Sequence, residues 1–114
     1  MPDLIKIYKS SDFRIYETWK SDAHKDVPFM YHYIDSNGTC FCASFDGHKY
    51  TNCEWADDKL VVSVNNPGFA AGRLSVIREF YLDDASFVDG VCNERVKETL
   101  NILLVNGDTD VTKY

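Results

Sequence analysis

Cys40, Cys42, Cys53 and Cys92, together with His24, His32 and His48, are the residue types that hold metal ions or act as nucleophiles. Structural zinc sites usually draw paired ligands from turns, as in Cys-x-x-Cys, so that four donors converge. Here the spacing is Cys40-x-Cys42 inside an alternating apolar run, with no second pair. Two residues apart on one strand, these cysteines share a face at about 7 Å, too far for an easy disulfide. The cysteines therefore read as small buried apolar side chains, and no metal or cofactor is expected. A thiol nucleophile needs a neighbouring base and a third group that orients it. No local run has the form of a nucleophile turn, so no catalytic residue is assigned and the chain reads as a non-enzyme.

Other constellations have structural explanations. Asp57-Asp58 and Asp83-Asp84 could serve as acid–base pairs or calcium ligands, but each stands where a strand starts or stops and reads as a charged turn. Gly68 and Gly72 lack the Lys-Ser/Thr end and the following helix of a phosphate-binding loop, and supply positive φ in a crossover instead. Trp19, Tyr31, Tyr33, Tyr50, Trp55 and Tyr81 could form a sugar platform. In a domain of 114 residues most such rings belong to the core or an interface. Trp19, Tyr50, Trp55, Phe69 and Tyr81 are the candidate interface residues.

The elements that must position these residues alternate with a period of two. Residues 39–82 hold three apolar runs separated by Asp46-Gly47, Asp57-Asp58, Asn65-Asn66-Pro67-Gly68 and Gly72. That is the pattern of antiparallel hairpins. Leu4 to Tyr8 reads as an edge strand. Asp12 to Lys20 reads as a half-buried strand, with Phe13, Ile15 and Trp19 on one face and the pattern blurred at Tyr16 and Glu17. Residues 21–26 read as a loop, and Phe29 to Ile34 as a central strand. Asn37-Gly38 predicts a hairpin turn with positive φ at both positions, returning through Thr39 to Phe45. Thr51 to Asp58 reads as a wide connection holding Trp55. Lys59 to Val64, Arg73 to Leu82 and Arg95 to Val105 complete the strands, the last two joined by a Phe87-Val88-Asp89-Gly90 turn with a buried phenylalanine. Seven or eight strands with turns about every ten residues predict an all-β, antiparallel β-sandwich, immunoglobulin-like or jelly-roll-like, over residues 1–107. Residues 108–114 read as a polar tail, mobile or bound to a partner.

Apolar residues make up 45% of the chain and aromatics 14%, enough for one core. The net charge is -6 with no Lys/Arg cluster, which argues against nucleic-acid and anionic-membrane partners. No apolar stretch is long enough to span a bilayer. The start, Met1-Pro2-Asp3-Leu4-Ile5-Lys6, lacks the parts of a signal peptide, so synthesis in a cytoplasm, with reduced thiols, is expected.

The motif order carries a resemblance. It runs Ser11-Asp12-Phe13-Arg14-Ile15, Val27-Pro28-Phe29, Ala43-Ser44-Phe45-Asp46-Gly47 and Tyr50-Thr51-Asn52-Cys53. It continues with Leu60-Val61-Val62, the run from Asn66 to Leu74, and Phe87-Val88-Asp89-Gly90. Together these resemble small proteins and N-terminal modules of bacteriophages and prophages of Bacteroides-like gut bacteria. They are similar, more distantly, to the N-terminal domain of phage baseplate upper proteins. The resemblance implies a β-sandwich virion structural protein, an adaptor that oligomerises as a dimer or trimer and anchors a fibre on the head or the tail baseplate. It implies capsid, fibre or baseplate chains as partners, assembly into the virion after synthesis in the bacterial host, and no catalytic residue. Such proteins usually continue into a shaft or receptor-binding region, whereas this sequence stops at Tyr114. The other reading of the aromatics is a carbohydrate- or protein-binding module of a cell-surface or receptor-binding apparatus.

Overall fold

The computed structural model describes residues 4–18 and 27–107, so Trp19, His24, the loop at residues 21–26 and the tail at residues 108–114 lie outside the described residues. Nine strands are formed among the described residues, against the seven or eight expected: β1 (Ile5–Tyr8), β2 (Phe13–Thr18), β3 (Phe29–Ile34), β4 (Cys40–Phe45), β5 (Tyr50–Thr51), β6 (Cys53–Ala56), β7 (Lys59–Val64), β8 (Gly72–Asp83) and β9 (Val91–Val105). They make a six-stranded sheet in the order β1-β9-β8-β3-β4-β5 and a three-stranded sheet in the order β2-β7-β6. The two sheets pack as an all-β sandwich whose pairings are antiparallel except β1 on β9, which is parallel.

Strand alternation decides what lies between the sheets. Phe29, Tyr31 and Tyr33 of β3 and Leu74, Val76 and Phe80 of β8 point inward from the large sheet. Phe13 and Ile15 of β2 and Leu60, Val62 and Val64 of β7 meet them from the small one. Phe69, in the β7–β8 loop, closes one end of this core against Phe13, with ring centroids 6.4 Å apart. The loop is held by Asn66. Its amide nitrogen donates to the carbonyls of Lys9 and Ser11 at 2.6 and 2.8 Å, while its side-chain oxygen accepts from the N–H groups of Gly68 and Phe69.

Four local expectations are corrected. The Thr51–Asp58 connection is instead the pair β5 and β6, separated by Asn52 in the left-handed region (φ 63°). Asparagine tolerates that conformation, which lets the chain leave one sheet and enter the other within a single residue. The pattern of β2 is unbroken, because Glu17 is the third inward residue and is buried with partners. Phe87 is half exposed, and β9 begins at Val91, so the β8–β9 hairpin carries its phenylalanine outside.

The fourth correction concerns the β3–β4 turn. Only Gly38 has positive φ (86°). Asp35 N–H bonds the Thr39 carbonyl at 3.1 Å, and the Asp35 carboxylate accepts from the N–H groups of Asn37 and Thr39 at 2.9 and 2.7 Å. The side chain of Asp35 thus takes up the donors of a three-residue loop and displaces the two-residue turn. The resulting register pairs Ile34 with Cys40 and His32 with Cys42.

Candidate functional site

That register assembles a polar cluster on the outer face of the large sheet. His32 alternates outward from β3, and Cys42 stands directly opposite it on β4, with Cys40 two residues away on the same face. Cys42 Sγ lies 3.3 Å from His32 Nδ1 and 3.6 Å from Cys40 Sγ. The three donor atoms lie within 4.8 Å of one another. Cys40 is exposed and Cys42 half-buried, so neither is the core side chain that the sequence suggested.

From β8, Glu79 approaches the other side of the imidazole, with Oε1 2.7 Å from His32 Nε2. Glu79 is buried although it lies on the outer face, because its neighbours cover it. Tyr81 Oη and Asn93 Nδ2 each donate to Oε2 at 3.2 Å, and Arg95 Nε lies 3.2 Å from the same oxygen. Burial opposes ionisation of Glu79, but the hydrogen bonds from Asn93 and His32, the Arg95 charge and the Tyr81 hydroxyl outweigh it and hold its pKa below the usual glutamate value.

Two of the thiols, Cys40 here and Cys53 elsewhere, are shifted away from reactivity. Burial, then the hydrogen bond and charge of Cys42, push the Cys40 thiol up to about 11. Burial likewise pushes Cys53 up to about 11, against the hydrogen bonds of its backbone partners. Nucleophilic catalysis requires the opposite shift.

A second polar group lies inside the sandwich. Glu17 of β2 accepts from Tyr33 Oη at 2.9 Å through Oε1, and from Arg78 Nη2 and Nε at 2.9 and 3.2 Å through Oε2. Arg78 also reaches Glu98 at 3.3 Å and lies 5.7 Å from the centroid of the Tyr31 ring. Burial and the nearby Glu17 charge raise the Tyr33 hydroxyl well above its ordinary pKa, so it stays a donor. Each member is satisfied by the others, and the group ties the two sheets together.

The candidate interface residues are dispersed. Phe69 is 3% exposed and belongs to the core, so its ring is not presented to a partner. Tyr81 is half-buried beside Glu79. Tyr50 and Trp55 do meet where β5 and β6 join the sheets: Trp55 Nε1 donates to Tyr50 Oη at 3.0 Å, and Tyr50 stacks on Phe45 at 4.3 Å. Trp55→Phe keeps an aromatic ring at a partly buried position but gives up part of the indole's contact area and its hydrogen bond to Tyr50. It is expected to cost about 1 kcal/mol in urea unfolding; a loss above about 3 kcal/mol would mean the indole has a further role.

The alternation of Arg95 to Val105 offers that strand as a sheet edge able to take up a partner strand, and the structure shows which part of it is open. β1 covers only Ile102 to Val105, so among the described residues Val91 to Thr99 have a strand partner on one side alone, β8; a bulge interrupts the ladder at Leu100 and Asn101, where the Arg73 guanidinium donates to the Leu100 carbonyl. Residues 93–99 are exposed on both faces of that strand, and the preceding hairpin tip exposes Phe87 and Val88. Searches of protein families, curated proteins and solved structures find no match to this chain.

Proposed function

We propose that this chain is a virion structural protein, a β-sandwich adaptor that attaches other virion chains by accepting a strand on the β9 edge. The observation that carries the reading is that open edge of Val91 to Thr99. Unpaired N–H and C=O groups along an edge are a template for another chain, and main-chain hydrogen bonds then supply affinity. The charge pattern selects against self-pairing. Two copies of β9 paired antiparallel about Val96 would set Glu94 against Glu98 and Arg95 against Lys97. Like charges in that register favour a strand of a different protein as the occupant, while exposed Phe87 and Val88 at the hairpin tip add apolar contact. The phage context comes from the sequence resemblance, and the sandwich fold is compatible with it.

Particles of the phage that encodes the chain are expected to contain it, as measured by mass spectrometry of purified virions. Val96→Lys places a charge on an exposed edge position and should leave the domain folded while lowering its incorporation about tenfold, equivalent to about 1.4 kcal/mol of binding. Absence of the wild-type chain from purified particles would overturn the virion reading. Unchanged incorporation of Val96→Lys would overturn the edge.

A further inference from the structure

We infer that His32, Cys40 and Cys42 form a zinc-binding site on the outer face of the large sheet, with its three donors on β3 and β4. The donor set is one imidazole and two thiolates, which suits a borderline-soft d10 ion such as zinc. Two of the three donor separations fit as well, and the third, Cys40 to His32, lies within 4.8 Å. Zinc bonds of about 2.3 Å to sulfur and 2.0–2.1 Å to nitrogen in a tetrahedral arrangement place two sulfurs about 3.8 Å apart and sulfur and nitrogen about 3.5 Å apart. The corresponding separations are 3.6 Å for Cys40 and Cys42 and 3.3 Å for Cys42 and His32.

The orientation of the imidazole is the second observation. A carboxylate only accepts hydrogen bonds, so the 2.7 Å contact with Glu79 assigns the ring proton to Nε2. Nδ1 is then left with its lone pair toward the two sulfurs. Carboxylate–histidine pairs orient metal-binding imidazoles in this way in known zinc sites. Glu79 is itself fixed by Tyr81, Asn93 and Arg95, so the imidazole is set in place before any ion arrives. The three donors come from adjacent strands of one hairpin, a rigid base for a site.

On binding, each sulfur donates an electron pair to the ion and each thiol proton passes to solvent. Two thiolates balance the charge of Zn²⁺. The three protein donors leave the fourth tetrahedral position to water or to a donor from another molecule, since Cys40 is exposed there.

The test uses the full chain, freshly reduced and freed of metal. Titration with Co²⁺ is expected to give the visible bands of a tetrahedral ion and near-ultraviolet thiolate-to-cobalt charge transfer, saturating at one equivalent. Zinc should displace the cobalt. Cys42→Ser and Cys40→Ser should each abolish the charge-transfer signal or weaken zinc binding by more than the roughly 10–100-fold expected of Glu79→Gln. Cys53→Ser and Cys92→Ser should bind as the unaltered chain does. Cys40 is exposed and Cys42 half-buried on the outer face, and serine differs from cysteine by one atom, so circular dichroism should show these variants folded. Absence of one-equivalent cobalt binding by the folded, reduced chain would overturn the site, as would full binding by Cys42→Ser. Rapid closure of a Cys40–Cys42 disulfide that zinc does not retard, seen as a 2 Da mass loss, would assign the pair to redox chemistry instead.

Discussion

Glu17→Ala is expected to destabilise the domain by about 3–5 kcal/mol, measured by urea unfolding, because it leaves the Arg78 guanidinium enclosed without its main counter-charge. Arg78 faces the core between Val76 and Phe80, and its side chain is 18% exposed. The Glu98 carboxylate at 3.3 Å is more than half exposed and compensates little. Tyr33, fully buried, would also lose the acceptor of its hydroxyl. The loss should therefore exceed the sum of the deleted contacts. A combined Glu17→Leu, Arg78→Met, Tyr33→Phe variant should recover most of it, since replacing a whole buried polar group by apolar side chains of similar volume is often neutral or stabilising. A loss below about 1 kcal/mol for Glu17→Ala would show that water reaches the guanidinium and that the cross-sheet tie is weak.

Asp35→Ala should be nearly as severe, at about 3 kcal/mol or more, by removing hydrogen bonds to three backbone N–H groups. These belong to Asn37, Thr39 and, across the structure, Ala70, whose N–H reaches Oδ2 at 2.7 Å. Each bond to a charged acceptor contributes about 1.5 kcal/mol or more. Burial resists ionisation of Asp35, but the bonds from Ala70, Thr39 and Asn37 prevail and hold its pKa below the ordinary aspartate value. A carboxyl whose pKa is depressed by folding contributes stability above its unfolded-state pKa and loses it as pH falls through the lower folded value. The difference in unfolding free energy between the wild type and Asp35→Ala should thus be full at neutral pH and shrink below about pH 4. A difference independent of pH down to pH 2 would show that the charge of Asp35 is not what holds the turn.

Asp35 also marks the limit of what could be read in advance. The alternation of β3, β4, β7 and β8 was legible because each carries a buried face with period two, and the sandwich followed from it. The register between β3 and β4 was not. Asn37-Gly38 is the strongest short hairpin signal, yet a side-chain acceptor two residues earlier chose a different loop. A shift of one residue would put Ala43 opposite His32, and the sulfurs would leave its face. The cluster was therefore hidden behind a turn type, although a register written out from Ile34 and Cys40 would have exposed it. Glu17 was obscure for another reason. A carboxylate inside a strand breaks an apolar pattern unless its partner is known, and Arg78 lies far along the chain. The first four residues of β9, Val91 to Glu94, were missed because they carry no buried face to announce a strand and follow directly on the Phe87-Val88-Asp89-Gly90 turn.

The parallel alignment of Ile5–Tyr8 with Ile102–Val105 sets the timing of self-assembly. Hairpins such as Phe29–Phe45 can zip up while synthesis proceeds, because their halves are neighbours in sequence. Ile5–Tyr8 and Ile102–Val105 stand at opposite ends of the described chain, so their pairing is the least local in the large sheet. The rim that joins the two ends is thus the part of the large sheet whose closure entropy is greatest.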